Sequence, residues 1–251
     1  MTDLRVIAIV QARMGSKRLP GKVLLEIQDE PMLIWVAERA RLAQSVDDVI
    51  VATTNEIEDD AIVELCREYG IEVVRGDALD VLDRYWQAAQ EHEADIIVRL
   101  TADCPLIDPE LIDRTVLALL EAEPPVDFAA NRLPWERTYP IGLDVETCTL
   151  EALKSAWSEA AQAHEREHVM PYLYENPERF RLVHVKADGD YGQFRWTVDT
   201  EQDLEFIRKI AELLPDRNEF RWRDVLELVQ KNPDLAEINA DVQHKTHRDV
   251  G

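Results

Sequence analysis

The sequence has little cysteine and no long apolar segment. Its three cysteines, Cys66, Cys104 and Cys148, are far apart and form no C-x-x-C pair, which argues against a disulfide framework and a thiolate zinc site. No apolar run approaches the ~20 residues of a membrane span, and the first residues lead into a strand without the apolar segment of a signal peptide. We therefore expect a cytoplasmic protein that makes no contact with a membrane.

Positive charge is also scarce. The chain has 28 basic and 51 acidic residues, which gives a formal net charge of −23. Such a surface repels phosphodiester backbones, so we expect no nucleic acid among the partners. With 251 residues, 46% of them hydrophobic, the chain is long enough to bury one large α/β core.

One loop near the N-terminus departs from this acidic background. An apolar strand ending near Val10 leads into a loop that carries Arg13, Lys17, Arg18 and Lys22, four positive charges within ten residues. Backbone N–H groups of a glycine-containing loop after a first strand can converge on phosphate oxygens while the basic side chains neutralise their charge. The loop therefore predicts a binding site for a small anion.

The spacing of this loop differs from that of a P-loop NTPase. A Walker loop has four residues between its glycines and a hydroxyl residue after the lysine. Here five residues separate Gly15 from Gly21, and Lys22 is followed by Val23, which offers no hydroxyl group to a metal ion. We conclude that the predicted phosphate site is of another kind.

The hydrophobic pattern predicts an α/β fold with a doubly wound, mostly parallel sheet. Short β-branched runs alternate with longer amphipathic stretches. Strands are predicted at residues 6–10, 48–53, 71–75, 95–100 and 194–198, and C-terminal helices at 200–214 and 222–231. The alternation changes after Pro124-Pro125, where we predict an inserted β-α arm at about residues 126–180. We expect one domain over residues 1–231 and a polar tail with few anchors over residues 232–251.

Two aspartates follow predicted strands. Asp103 comes after the strand at 95–100, and Asp199 comes after the strand at 194–198. Ligands bind at the carboxyl edge of such a sheet, and two carboxylates beside bound phosphates are the ligands that Mg²⁺ prefers. Aspartate at a strand end is also a common turn former or helix cap, so spacing alone leaves both interpretations open.

Three segments together resemble a known family. They are Ile-Val-Gln-Ala-Arg-Met-Gly-Ser-Lys-Arg-Leu-Pro-Gly-Lys (residues 9–22), Thr-Ala-Asp-Cys-Pro-Leu-Ile-Asp-Pro (101–109) and Trp-Thr-Val-Asp-Thr-Glu-Gln-Asp-Leu (196–204). In this order they resemble the cytidylyltransferases that activate 3-deoxy-manno-octulosonate and neuraminate sugars, and most closely the branch of spore-coat polysaccharide biosynthesis. The resemblance spans residues 4–214.

The resemblance implies a fold, a reaction and a quaternary state. The fold is of the nucleotide-diphospho-sugar transferase-like kind, and the reaction transfers CMP from CTP to a sugar, which we expect to be acidic. Pyrophosphate is released, the cofactor is Mg²⁺, the product serves surface polysaccharide biosynthesis, and the enzyme is a homodimer.

The resemblance also implies the residues that bind the nucleotide and the metal ion. Arg13 and Lys22 hold the triphosphate, Asp103 and Asp199 hold Mg²⁺, and these four are the predicted catalytic residues. The predicted nucleotide-binding residues are Ala12, Arg13, Gly15, Ser16, Lys17, Lys22, Arg75 and Asp103. Arg75 either approaches the base or ribose or is a surface arginine in a βα turn.

The predicted sugar-binding residues lie in the second half of the chain. They are Tyr139, Asp144, Glu146, His168 and Arg195. Asp144 and Glu146 alternate with apolar neighbours, so they are either sugar ligands or the solvent face of a strand. His164 and His168 have a spacing that can bind zinc, but no third ligand is evident, and we favour contact with substrate or with a second subunit.

Two observations leave the identity of the sugar substrate and the class of protein undecided. The octulosonate enzymes have Gly-Asp-Glu-Pro where this chain has Ala102-Asp103-Cys104-Pro105, which leaves the identity of the sugar undecided. A glycosyltransferase or a nucleotidyltransferase for another base can use the same fold. A non-catalytic protein that binds nucleotide sugars is a further alternative, although both aspartates are present.

Overall fold

The computed structural model describes residues 4–214 and 216–243. The strands are β1 (Val6–Gln11), β2 (Glu26–Ile27), β3 (Glu30–Pro31), β4 (Asp48–Thr54), β5 (Glu72–Gly76), β6 (Ile96–Thr101), β7 (Phe128–Ala130), β8 (Arg132–Leu133), β9 (Glu136–Arg137), β10 (Glu146–Thr149) and β11 (Leu182–His184). The helices are α1 (Met32–Arg41), α2 (Asp60–Glu68), α3 (Val81–Glu91), α4 (Pro109–Leu120), α5 (Leu150–Glu159), α6 (Ala163–His168), α7 (Pro171–Tyr174), α8 (Glu201–Leu213), α9 (Trp222–Lys231) and α10 (Pro233–Glu237).

Seven of these strands form one twisted sheet. Their order is β11-β7-β10-β6-β1-β4-β5. The pairs β6/β1, β1/β4, β4/β5 and β11/β7 are parallel, and β10 is antiparallel to both of its neighbours. The predicted doubly wound, mostly parallel α/β fold is therefore confirmed.

Apolar side chains cover both faces of the sheet. Along β1, Ala8 and Val10 face one core with residues of α1, α4, α8 and α9, whereas Ile7 and Ile9 face a second core with residues of α3, α5 and α7. Parallel strands buried on both faces are continuous apolar runs rather than alternating ones, as in the first strands of this chain. No helix among the described residues is both long and apolar enough to cross a membrane.

The segment predicted as an arm contributes strands to the main sheet. Within residues 126–180, β7 and β10 pair with each other, and β10 also pairs with β6. The small hairpin of β8 and β9 stands apart as a separate two-stranded sheet. The arm therefore extends the sheet on the side of β6, and the hairpin of β8 and β9 lies between its two sheet strands in sequence.

The prediction of a strand at residues 194–198 is wrong. Within the described ranges this segment belongs to no strand, and it is extended beside Ile141, with which Arg195 forms an isolated bridge. Trp196 N donates to the Ile141 carbonyl at 2.7 Å, and Val198 N donates to the Asp103 carbonyl at 2.8 Å. The segment has the apolar pattern of a strand. The segments on either side of it are loops, however, so no continuous ladder of backbone hydrogen bonds forms.

The described part of the predicted tail is anchored. Residues 233–237 form α10, and Asn239 is buried with only 4% of its surface exposed. The prediction of few anchors therefore does not hold for residues 232–243. Residues 244–251 of the predicted tail lie outside the described part of the chain.

Gly142 is required where the chain passes the extended segment. Its φ is +104°, and a Cβ atom would lie 2.5 Å from the backbone carbon of Trp196 and 2.6 Å from Thr197 N. A side chain here meets both a strained dihedral angle and a backbone that cannot move without shifting Asp199.

We expect Gly142→Ala to lower the free energy of unfolding by about 2 kcal/mol or more, because strain and steric overlap add. Urea unfolding of both proteins measures this difference. Gly15→Ala is the matched control, since nothing lies within 4 Å of a Cβ atom there, and it should leave stability unchanged. Equal stability of Gly142→Ala and the parent protein would contradict the proposed constraint.

Candidate active site

A cleft of about 410 Å³ opens at the carboxyl ends of β1 and β6. It contains all four basic residues of the first loop, both predicted metal aspartates and several charged residues of the arm. The lining residues are Gln11, Ala12, Arg13, Gly15, Ser16, Lys17, Arg18, Lys22, Val23, Val81, Arg84, Arg99, Thr101, Ala102, Asp103, Cys104, Arg132, Ile141, Gly142, Asp144, Glu146, Glu167, His168, Tyr174, Thr197 and Asp199.

The shape of the first loop is fixed from beneath by Asp59. Its buried carboxylate accepts a hydrogen bond from Met14 N at 2.7 Å and from Thr54 N at 3.2 Å. Gly21 N closes the loop on the Met14 carbonyl at 2.9 Å, with Gly21 in the left-handed region at φ +68°. These bonds leave the side chains of Arg13 and Lys17 on the outside of the loop.

One half of the cleft carries cations that pair with no carboxylate of residues 4–214 and 216–243. Among the residues that the structure describes, Arg13, Lys17 and Arg84 make no ion pair, although all three line the cleft. Arg84 projects from α3 and is 2% exposed, and burial together with the charge of nearby Arg13 lowers the pKa of its guanidinium. Unbalanced positive charge in a concave site is suited to an anion.

Sequence reasoning did not assign Arg84 a role. The signal was its position on the apolar side of α3, between buried Leu82 and Tyr85. A basic residue on the apolar face of an amphipathic helix needs a partner, and here it faces the cleft.

Asp103 and Asp199 meet at a single ammonium group. Lys22 Nζ lies 2.8 Å from Asp103 Oδ2, 2.9 Å from Asp199 Oδ1 and 2.7 Å from the Val198 carbonyl oxygen. Burial alone would lower the pKa of Lys22, but the two carboxylates raise it above its ordinary value. The predicted pair of aspartates is thus brought together, and a cation stands between them.

Two arginines add to the charge around Asp199. Arg18 Nη2 lies 2.7 Å and Arg195 Nη2 2.8 Å from Asp199 Oδ2. Burial by itself would raise the pKa of Asp199, yet the Lys22 ammonium and the hydrogen bonds from Lys22 and Arg195 hold it well below its ordinary value. Asp199 is therefore held as a carboxylate over the working pH range of proteins.

Asp203 and Asn239 support this arrangement from below. The fully buried Asp203 accepts from Arg195 Nε at 2.8 Å and from Asp199 N at 2.9 Å. Asn239 Nδ2 donates to Asp203 Oδ1 at 2.9 Å and to the Arg195 carbonyl at 3.0 Å. Arg195 does not line the cleft, so its contact is with Asp199 and not with the space that a sugar could occupy.

Sequence analysis missed both supporting residues. Asp203 has a signal, the spacing Thr-x-x-Asp, and Thr200 and Asp203 form the reciprocal capping box of α8. Asn239 has none, since it lies in a polar segment whose contacts depend on the tertiary fold.

The other half of the cleft contains balanced pairs of opposite charge. Glu146 Oε2 lies 2.5 Å from Arg99 Nη1, and Arg99 Nη2 donates to Gln11 Oε1 at 3.1 Å. Asp144 accepts two bonds from Arg137, at 2.5 and 2.9 Å. Both carboxylates face the cleft rather than bulk solvent, and His168, Glu167 and Tyr174 complete this half.

Arg75 and Tyr139 do not lie in the cleft. Arg75 donates to the Thr54 and Glu56 carbonyls at 2.8 and 2.9 Å and to Asp60 at 2.6 Å. Tyr139 is 1% exposed, and its hydroxyl accepts from Arg114 at 2.8 Å. The predicted nucleotide contact of Arg75 and sugar contact of Tyr139 find no support in these positions, because local partners hold both side chains elsewhere.

The fold and the site together define a class of protein. A basic loop after the first strand and paired carboxylates at the carboxyl edge of a mostly parallel sheet are the parts of a nucleotidyltransferase of the nucleotide-diphospho-sugar transferase-like fold. A family model for cytidylyltransferases matches residues 7–232. The chain belongs to the cytidylyltransferase family.

Three relatives show the breadth of this family. An uncharacterized protein of Methanocaldococcus jannaschii is 38% identical over 98% of this chain and 99% of its own. The spore coat polysaccharide biosynthesis protein SpsF of Bacillus subtilis is 29% identical over 92% of this chain and 96% of its own. A 3-deoxy-manno-octulosonate cytidylyltransferase of a Psychrobacter species is 33% identical over 89% of this chain and 82% of its own.

Solved structures share the fold. A cytidylyltransferase from Leptospira borgpetersenii has a TM-score of 0.89 at 36% identity and covers 96% of this chain and 100% of its own. A CMP:2-keto-3-deoxy-manno-octonic acid synthetase complexed with CTP has a TM-score of 0.62 at 22% identity, with 84% of this chain and 100% of its own covered. The second similarity is one of fold alone.

We expect Asp199→Asn to lower the free energy of unfolding near pH 7 by about 1–3 kcal/mol, because its charge-assisted hydrogen bonds weaken. A carboxyl whose pKa is lowered by folding contributes stability above its ordinary pKa of about 4, and this is lost as pH falls through the folded value. The difference between the parent protein and the variant should therefore shrink below about pH 4.

Urea unfolding from pH 7 to pH 3 measures this trend. Glu205→Gln, on the exposed face of α8, is the control and should match the parent protein throughout. If Asp199→Asn is as stable as the parent protein at pH 7, the ion pairs around Asp199 contribute nothing to folding.

Proposed function

We propose that this protein transfers CMP from CTP to a hydroxyl group of a sugar, with release of pyrophosphate, in the biosynthesis of a polysaccharide. The observation that carries this proposal is a group of cations beside the aspartate pair in a member of the cytidylyltransferase family. These cations, Arg13, Lys17 and Arg84, form no ion pair within the part of the chain that the structure describes. The names of the relatives from Bacillus subtilis and Psychrobacter support a sugar acceptor and a polysaccharide product.

The first loop is assigned to the triphosphate. Arg13 and Lys17 project from it without an ion pair to any described residue, and Gly15 and Ser16 line the same space. Nucleotidyl transfer requires mainly alignment of the reactants and neutralisation of charge on the leaving pyrophosphate. Cations that already stand in the cleft supply this charge with little reorganisation.

The aspartate pair fits a hard divalent cation. Both carboxylates already place an oxygen within 2.9 Å of one positively charged atom, Lys22 Nζ, and carboxylate oxygens are the preferred protein ligands of Mg²⁺. Asp103 and Asp199 would hold the ion. Such an ion, when bound, neutralises phosphate oxygens and lowers the pKa of an attacking hydroxyl group.

The arm side of the cleft is assigned to the sugar. Asp144 and Glu146 offer carboxylate oxygens that can accept hydrogen bonds from sugar hydroxyls, and His168 and Tyr174 lie on the same wall. Arg132 also lines this wall, with Nε 3.8 Å from Asp144, a distance too long for a hydrogen bond. Its guanidinium suits the carboxylate of the acidic acceptor that the sequence predicts.

A pyrophosphate-release assay with four nucleoside triphosphates and a panel of acidic and neutral sugars tests the reaction. We expect release with CTP and an acidic sugar. Arg13→Ala and Arg84→Ala should each lower kcat/KM for CTP by roughly 100-fold, because each removes a preorganised charge. Arg41→Ala, which removes a surface ion pair with Glu38 and a hydrogen bond to the Gly70 carbonyl outside the cleft, is the control. Turnover that prefers another nucleotide, or that survives in both variants, would refute this assignment.

We also propose that the arm forms a homodimer interface. Trp135, between β8 and β9, is 62% exposed and packs the edge of its ring against Tyr174, which lines the cleft. Large aromatic side chains exposed beside a functional site are typical of subunit interfaces.

Light scattering should give twice the chain mass of 28.9 kDa, and Trp135→Glu should shift the protein to the monomer mass without changing its circular dichroism. A monomer mass for the parent protein at all concentrations would rule out the dimer. A dimer that Trp135→Glu leaves intact would place the interface elsewhere.

A further inference from the structure

Lys22 has no hydrogen bond left for a phosphate. An ammonium group donates three hydrogen bonds, and Lys22 Nζ has three oxygen partners, on Asp103, Asp199 and Val198, at 2.7–2.9 Å. The side chain is 10% exposed. In this state Lys22 contacts the two aspartates, whereas Arg13 and Lys17 of the same loop make no ion pair among the described residues.

We propose that Lys22 is the resident cation of the Asp103–Asp199 pair, and that the pair binds a divalent cation tightly only after Lys22 leaves it for the phosphates of the nucleotide. Metal ion and nucleotide then bind with positive coupling, and each is bound weakly alone. This inference rests on the proposed function, since it assigns the nucleotide to the first loop and the metal ion to the two aspartates.

The balance of charge supports this proposal. Lys22, Arg18 and Arg195 carry three positive charges beside the three carboxylates of Asp103, Asp199 and Asp203, so the cluster is already neutral as it stands. A divalent ion within a few ångströms of the Lys22 ammonium meets strong repulsion in a partly buried site. A triphosphate reverses the balance, because it brings several negative charges and gives Lys22 new acceptors.

The position of Lys22 on the chain permits such an exchange. It is the first residue of a short 3₁₀ turn after Gly21, on the same loop as Arg13 and Lys17. Lysine carries its charge on a flexible four-carbon stem, so the ammonium group can change partners while Cα stays in place. Arg195 has no such freedom, since buried Asp203 holds its guanidinium through two nitrogens.

Substitution of Lys22 should raise the affinity of the two aspartates for a divalent metal ion. Removing the Lys22 charge leaves two carboxylates without the cation they share, so they should bind a free divalent ion better. Because coupling is reciprocal, the variant should also lose most of the effect that nucleotide and metal ion have on each other.

Mn²⁺ titration without nucleotide, followed by the electron paramagnetic resonance signal of the free ion, tests this. Lys22→Met keeps most of the stem and removes the charge, and we expect it to bind Mn²⁺ at least 10-fold more tightly than the parent protein. Lys17→Met is the matched control, since it lies on the same loop and contacts neither aspartate among the described residues, and its Mn²⁺ affinity should be unchanged. In the doubly substituted Lys22→Met/Asp103→Asn protein the gain should disappear.

Two results would overturn the proposal. One is equal or weaker Mn²⁺ binding by Lys22→Met, and the other is a gain that persists in the double variant, which would place the ion elsewhere. If Lys22→Met does not fold, the parent protein decides the matter: Mn²⁺ affinity must rise at least 10-fold with a non-reactive CTP analogue, and no rise would overturn the proposal. The titration without nucleotide measures only Mn²⁺ binding. Its result therefore does not depend on whether the protein uses CTP or a sugar, and the failure of this proposal can be told apart from the failure of the proposed reaction.

Discussion

The shared contact of Lys22 with Asp103 and Asp199 is the interaction on which the site depends. It joins three segments that are far apart in sequence: the loop after β1, the turn after β6 and the extended segment before α8. The parallel pairing of β1 with β6 brings the first two together at one edge of the sheet. The third has no strand of its own and reaches the same point along Ile141 and the Asp103 carbonyl.

The fold could be predicted largely from hydrophobic pattern, and the reason is burial. Strands β1, β4 and β6 lie in the middle of the sheet with helices on both faces, so each is a short apolar run that stands out from amphipathic helices. The segment before Asp199 has the same composition for a different reason. Trp196 and Val198 are buried against helices, but their backbone neighbours are loops, and composition cannot distinguish these two situations.

Site residues could be predicted where several charged residues lie close together in the sequence. They could not be predicted where their role depends on the direction in which a side chain points. The basic loop is local, so Arg13 and Lys22 were identifiable. Arg75 and Tyr139 lie in the right segments, but Asp60 and Arg114 hold their side chains away from the cleft. Asn239, by contrast, belongs to the site but could not be predicted. It is a polar residue near the C-terminus, and only the tertiary fold brings it into contact with Asp203.

The cleft has two halves with different electrostatics, and this difference suits two substrates. On the loop side, Arg13, Lys17 and Arg84 have no carboxylate partners among the described residues, so an anion that binds there breaks no ion pair. On the arm side, Arg99 and Arg137 are paired with Glu146 and Asp144, so a ligand must fit an existing pattern of donors and acceptors. Under the proposed assignment, the cations without ion pairs lie where pyrophosphate would form, and the fixed pattern of donors and acceptors lies where the acceptor would bind.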